Sequence, residues 1–511
     1  MKVGIIGGGH NSLVLAGYLA KEGVDITVYE ARDRVGGLCV NEEVFPGHTI
    51  STVATYYGMF RRQIIEDLRL DVHGLEPYLT DPAEIVLLPN GGYSFTPRDG
   101  SDTKISAGEL TEEDLAGWKN FWGEIGRGAA LVAPFYYKPE TTQQELVDVL
   151  RKDGLDFLAS KLFDGTLFEV FDHFCKNQSL KAAVATCTPG YASNQGSVFG
   201  CMHHGTAETC GVPGAWGLVR GGMGMVSESL RRSAESKGVR VLTNTKVTAI
   251  RVENGRATGL KLENGETVAC DLVVSGADPK TTFSRLLSDT ELPAALVKQV
   301  EEPLTQISAG KIHFKLKRLP KFPTLDQLSH NYSGIIVVAP PADEVIADSK
   351  RVAEGKMPQS LMMTMAFPTV TDETVAPAGE HHMNIDVHQL PRTNEGEPWN
   401  DETKTKISDA VIAALKPFAP DIAEVIEDTF VVSPTDIQSR YNVGTGMCWH
   451  LPMTDRYAFD KRNMSGCEPY GTPIENLYLC GAGTYGGGNV TGVSGFNCAK
   501  ILQDQTMRVR A

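Results

Sequence analysis

Near its start the chain reads KVGIIGGGHNSL from Lys2 to Leu13: an apolar run, three glycines and the opening of a helical pattern. Gly7 and Gly9 occupy the first two places of a dinucleotide-binding fingerprint, and Ser12 stands where the third glycine would be. Gly7 permits a tight turn, and Gly9 lets the backbone approach a pyrophosphate. A helix starting over Asn11 and Ser12 turns its free N–H groups toward that anion. Glu30, 23 residues after Gly7, closes the next strand pattern, VDITVY, where its carboxylate can accept hydrogen bonds from ribose hydroxyls. Serine in the third place adds one small polar group where a helix and a strand must pack closely, a mild departure.

The chain continues EARDRVGGL from Glu30 to Leu38, with Ala31, Arg32, Gly37 and Leu38 following the acid. This extra path resembles the stretch in glutathione-reductase-type flavoproteins where the chain passes the FAD diphosphate, and an NAD dehydrogenase does not need it. Two distant segments point the same way. From Gly214 to Asp278 short alternating strands flank Asn254-Gly255 and Asn264-Gly265, both hairpin signals. Near the C-terminus, NLYLCGAGTYGGGNVTGVSGF reads as a strand entering a glycine-rich turn, with a helix starting near Gly492. A helix start against a flavin stabilises negative charge on the reduced ring.

With these motifs (GGGHNSLVLAGYLAKEG, EARDRVGG, GAWGLVRGGMGMVSESL, VVSGADP and LYLCGAGTYGGGNVTG) the whole chain resembles the phytoene-desaturase-like flavoproteins. The resemblance implies an α/β architecture. A glutathione-reductase-type Rossmann domain that binds FAD would be assembled discontinuously from 1–74, 211–284 and 441–511. An α+β substrate domain with a mixed sheet would come from 75–210 and 285–440. It implies non-covalent FAD held by Gly7, Gly9, Asn11, Ser12, Glu30, Ala31, Arg32, Gly37, Leu38, Val247, Gly483, Gly492 and Val493. Carried with it is an FAD-dependent oxidoreductase of the desaturase or dehydrogenase type. Such an enzyme takes a hydride from a substrate C–H bond and passes the electrons to oxygen or a quinone. Amine oxidation, isomerisation on the flavin, or a non-catalytic binding protein on the same fold are the alternatives.

Acid–base candidates on the substrate side are few. His204 in CMHHG and His450 in MCWHLP are the preferred ones, with Tyr485 in the last glycine cluster. Cys448 reads as a buried free thiol rather than a flavin tether. A disulphide reductase is rejected, because Cys39 after the Gly-Gly pair has no cysteine within five residues.

The elements that must position these groups are legible in part. Residues 75–210 read as mainly helical, with EEDLAGWKNFWGEIGRGAALV the clearest helix and Pro134 its stop. SGIIVVAPP, QSLMMTMAF and EHHMNIDVHQL alternate as strands. The sequence is 511 residues long, enough for two large domains. Its formal charge of −15 argues against nucleic acid and anionic membranes as partners. No apolar run is long enough for a transmembrane helix, which leaves peripheral membrane contact open. A strand pattern from residue 2 leaves no room for a signal peptide, so the expected location is cytoplasmic. The ten scattered cysteines form no C-x-x-C, and no metal site is expected. The expected ligand is a small molecule, apolar or an amine. Its identity and the oligomeric state are not legible.

Overall fold

The computed structural model describes residues 1–510 apart from 21–23, 89–90, 99–102, 109, 189, 303 and 329–331. Lys2–Ile6 is the central strand of a five-stranded sheet ordered Arg240–Leu242, Asp25–Tyr29, Lys2–Ile6, Leu272–Ser275, Leu477–Leu479, every pair parallel. Val3, Ile5, Val28, Val273 and Val274 are buried, as strands covered on both faces must be. The helix His10–Leu19 buries every residue but His10 and packs against the helices Met225–Glu235 and Val493–Arg510. Beside this sheet lies an antiparallel meander, Val247–Glu253, Arg256–Leu262 and Thr267–Ala269. Asn254 and Gly255 both take left-handed backbone at its first turn, the geometry a two-residue hairpin of this twist requires.

The second sheet has eight strands. Its order is Ile426–Val432, Ile307–Leu316, His381–Pro391, Met363–Ala366, Ile335–Val338, Glu84–Leu87, Tyr93–Thr96, Lys104–Ser106. Only the pair Ile335–Val338 with Glu84–Leu87 is parallel, so the sheet is mixed. Strand periodicity splits its residues cleanly. Ile312, Phe314, Ile336, Met363, Met365, Met383, Ile385 and Val387 face a separate core closed by the helix Asp401–Leu415. The Met-rich strand is therefore core. The opposite face carries Lys311, Asp386, His388, Thr364, Val337, Val86 and Glu84.

Residues 75–210 depart from the mainly helical expectation, since their first third supplies Pro77–Leu79 and three strands of the large sheet. A short stretch such as EIVL, three apolar residues after an acid, carries no helix-or-strand periodicity, and its parallel partner lies far along the chain. The helix Glu112–Val132 begins at a capping box between Thr111 and Asp114 and ends one residue before a turn containing Pro134. The helices after it share one core with the parallel sheet, and Val86 and Val337 of the eight-stranded sheet join that core from the face opposite the Asp401–Leu415 helix. Among the described residues no helix is long and apolar enough to cross a membrane.

Candidate active site

The turn after Lys2–Ile6 is built for an anion. Gly7 has φ +84°, a left-handed backbone that glycine adopts without strain. No described atom lies within 4 Å of where a Cβ on Gly9 would stand, so protein packing does not explain that glycine. Gly9 is also the cap of the helix His10–Leu19 and offers no side-chain acceptor to its first-turn N–H groups. Gly36 N donates to the carbonyl of Gly8 at 2.8 Å, which ties the second glycine pair to the first. Gly36 is obligatory, because a Cβ there would stand 2.3 Å from the Cys39 carbonyl oxygen. The carboxylate of Glu30 accepts from Gly8 N at 2.7 Å and Arg32 N at 2.8 Å, which fixes its orientation and leaves further lone pairs free. Arg32 pairs with buried Glu42 at 2.7 Å, and Glu42 is held by Thr52, Arg440 and Tyr441.

A single cavity of about 1230 Å3 starts at this loop. Gly7, Gly9, Asn11, Ser12, Glu30, Ala31, Arg32, Gly37, Leu38 and Val247 all line it. It continues past Asp278, Cys448, Trp449 and His450 onto the polar-bearing face of the eight-stranded sheet, and is roofed there by Trp118 and Trp122 of the helix Glu112–Val132. On that face Lys311, Asp386, Thr364, Val337, Val86, Ser94 and Ile105 are successive cross-strand neighbours, and all seven line the cavity. Lys311 and Asp386 form an ion pair at one end of this row, and Thr55 donates to Asp386 at 3.0 Å.

The model of the flavin-containing amine oxidoreductases matches residues 13–495. The chain belongs to this family. It is 28% identical to mouse (Mus musculus) pyridine nucleotide-disulfide oxidoreductase domain-containing protein 2, over 98% of this chain and 92% of that one. It is 24% identical to the lycopene-forming phytoene desaturase of a Paracoccus species, over 96% and 94%. The structure of cyclohexylamine oxidase from Brevibacterium oxydans superposes with a TM-score of 0.61 at 16% identity, covering 99% of both chains, a likeness of fold. This flavin oxidoreductase is an FAD-dependent enzyme, and the residues at the loop fit FAD. The uncapped helix start and the open side of Gly9 suit a diphosphate. Four cavity-lining residues also keep a buried side-chain atom without a hydrogen-bond partner: His10 Nε2, Arg32 Nη1, Tyr56 Oη and His450 Nδ1.

The flavin oxidoreductase brings ten of the expected cofactor residues to the cavity wall and sets three back. Gly483 faces Pro279, where a Cβ would stand 2.6 Å from its ring. Gly492, at φ +75°, packs on Ile64 and Phe60, and Val493 is fully buried in the core. Gly481, Ala482, Asn489 and Val490 line the wall in their place. Ser12 is accommodated because the residue facing it is Gly276, where a Cβ would lie 2.0 Å from the Ser12 Oγ. Tyr485 is corrected as a catalytic candidate. It is fully buried off the cavity, and its hydroxyl donates to the Phe135 carbonyl at 2.8 Å.

His204 and His450 both reach the wall. Burial, with His388 nearby, pushes His204 down to about 4. Burial also lowers His450, against the opposing pull of Asp278. Both are neutral at pH 7. Cys448 lines the cavity as a thiol, pushed up to about 11 by burial. Sequence reasoning missed His10, Lys311, Asp386 and Glu84. The spacing HMNIDVH puts Asp386 and His388 on one strand face with His382 and Asn384, but which strand supplies the cation opposite is a matter of register alone. Arg462 was missed too. It is buried without a carboxylate partner and donates to the carbonyls of Trp449, Leu451, Pro452, Tyr457 and Ala482, which locks the His450 turn against the C-terminal strand.

Proposed function

We propose that this FAD-dependent oxidoreductase removes a hydride from a C–H bond of an apolar small molecule, with oxygen or a quinone as the final acceptor. The observation that carries the reading is the continuity of one cavity from the nucleotide loop to a largely apolar chamber on the eight-stranded sheet. In this reading residues 1–74, 211–284 and 441–511 serve the cofactor, and 75–210 and 285–440 serve the substrate. FAD, when bound, supplies the hydride acceptor.

The chain's own groups then have distinct tasks. Gly9 and the first turn of His10–Leu19 hold the diphosphate, Glu30 takes the ribose, and Arg32 keeps one guanidinium edge for the anion. The Lys311–Asp386 ion pair sets an ammonium and a carboxylate side by side on the cavity floor, where their charges compensate. His204 and His450, both neutral, are able to accept a proton at Nδ1 or Nε2. Trp118, Trp122, Ile335 and Val337 give the chamber beyond the reacting end an apolar lining. Oxidation next to an amine nitrogen is the second reading, and the likeness to the cyclohexylamine oxidase structure favours it.

The test is anaerobic mixing of the FAD-loaded protein with apolar alkenes, terpenoids and amines, each with and without deuterium at the reacting carbon. Bleaching of the flavin band that slows on deuteration supports C–H hydride removal, and the product separates C=C from C=N formation. Isomerised product without bleaching refutes net oxidation. A colourless protein that cannot be reconstituted with FAD refutes the enzyme itself.

A further inference from the structure

Among the described residues four carboxylates line the cavity: Glu30, Glu84, Asp278 and Asp386. Three of them are engaged. Glu30 accepts from two backbone N–H groups, Asp278 from Thr281 and Gly444, and Asp386 from Lys311 and Thr55. Among the described residues the Glu84 carboxylate has no hydrogen-bond or ion-pair partner. It opens the strand Glu84–Leu87 and stands beside Ile335 on one neighbouring strand and Thr96 on the other. Thr96 in turn shares its hydroxyl with Thr103 at 3.4 Å. On the same sheet face Val86, Ile335, Val337 and Ile105 stand near it, and Trp118 and Trp122 line the same cavity.

The ionisable groups that share this end of the cavity leave Glu84 uncompensated. Arg98 spends its guanidinium on the carbonyls of Thr80 and Trp216. Lys119, on the roofing helix, is exposed. Cys187 and His204, from the helical block, are uncharged at pH 7, the thiol raised and the imidazole lowered by burial. Burial alone, with no countercharge, raises the Glu84 carboxyl to about 7. A carboxylate in such a place stays costly until a cation or a strong donor reaches it.

Its position in the sheet sets a length. From Lys311 to Val86 the row crosses four inter-strand steps of about 4.8 Å, about 19 Å in all, and Glu84 is two residues along the same strand face. Lys311 is at the cofactor end, sharing the wall with Cys448 and His450. We propose that Glu84 is the recognition site for a cationic group at the far end of an elongated apolar substrate, whose reacting C–H bond lies near the Lys311–Asp386 end. This deepens the function proposed above and rests on the cavity being its substrate chamber.

The test uses the purified, FAD-saturated protein at pH 8 and three saturated chains of equal length: decylamine, 1-decanol and decanoate. Binding is followed by quenching of tryptophan fluorescence, since Trp118 and Trp122 line the same chamber. The expected result is that decylamine binds at least tenfold more tightly than decanol, and decanoate most weakly. In Glu84→Gln the amine loses its advantage to within about twofold, while decanol is unchanged. Glu84→Asp retains part of the preference, which separates lost charge from lost packing. Equal binding of amine and alcohol to the wild type overturns the proposal, as does a preference that survives Glu84→Gln or the absence of binding by any chain. Because the fluorescence readout does not need flavin, a protein without FAD would defeat the oxidoreductase reading while still deciding the role of Glu84.

Discussion

Gly495 gives the sharpest test of how the C-terminal helix serves the cofactor loop. A Cβ at this position would stand 2.0 Å from the carbonyl oxygen of Asn11 and 3.1 Å from its Cα. Those are backbone atoms and cannot rotate away. Ordinary contact begins near 3.4 Å, so Gly495→Ala requires the two helices to part by about 1.4 Å. Overpacking of this kind costs about 1–3 kcal/mol of stability. The larger effect is on FAD. Asn11 lies in the first turn of His10–Leu19, whose N–H groups are the proposed diphosphate site, and a shift of that size breaks one or two charge-assisted hydrogen bonds there. At about 1.5–3 kcal/mol each, and 1.4 kcal/mol per factor of ten, FAD affinity falls at least tenfold. The assay is titration of the apoprotein with FAD, following flavin fluorescence, with the melting temperature of the apoprotein alongside. Gly123→Ala is the control: it is exposed in the helix Glu112–Val132 with no atom within 4 Å of the new Cβ. It should keep FAD affinity and gain up to about 1 kcal/mol from helix propensity. Wild-type FAD affinity and melting temperature in Gly495→Ala would refute the reasoning, as would equal losses in both variants.

Three further outcomes are expected. Gly276→Ala destabilises by about 1–2 kcal/mol through contact with Ser12 Oγ, and Ser12→Gly in the same chain restores most of it, a coupling read from a denaturation double-mutant cycle. Arg462→Lys keeps a cation but offers three donors where five carbonyls wait, so it loses about 3 kcal/mol and releases FAD faster in a dialysis assay. Glu84→Gln changes the pH dependence of stability. The wild-type carboxyl is raised from 4.5 to about 7 in the fold, so the folded state holds its proton longer than the unfolded chain does. Wild-type stability therefore falls as pH rises from about 4.5 through 7, by a ceiling of about 3 kcal/mol and by about 1–2 after allowing for water in the cavity. The glutamine variant lacks this loss, so denaturation at pH 8.5 should favour it and at pH 5 should not.

What was legible in the sequence is what short-range pattern encodes. The strand–loop–helix–strand from Lys2 to Tyr29, the meander with its Asn254-Gly255 turn, and the C-terminal strand and helix all follow from local periodicity and turn chemistry. The glycine cluster after Cys480 was harder, because glycines serve two ends there. Gly481 meets the cavity, whereas Gly483 and Gly492 yield to Pro279 and Ile64. No spacing rule separates a glycine that admits a ligand from one that admits a neighbour. Lys311, Asp386 and Glu84 were hidden for another reason. Each looks like an ordinary polar residue on an alternating strand, and only the register between strands from distant parts of the chain joins them in one row.

That row also bears on which chemistry the chamber favours. Its charges are balanced at the cofactor end, where Lys311 and Asp386 neutralise each other, and unbalanced at the far end, where Glu84 has no partner. A cation gains nothing from the compensated pair and gains a full countercharge at Glu84. On the proposed reading it is held about 20 Å from Lys311, four strand spacings across and two residues along. An amine whose own neighbouring carbon is to be oxidised would have to bring its nitrogen to the cofactor end and leave Glu84 buried and unsatisfied. A chain oxidised at a carbon remote from its charge satisfies both ends at once. The polarity of one sheet face thus favours desaturation of an extended chain over oxidation beside a terminal amine. The product of the anaerobic reaction decides between them: a new C=C bond with the amine retained agrees with this reading, and release of ammonia contradicts it.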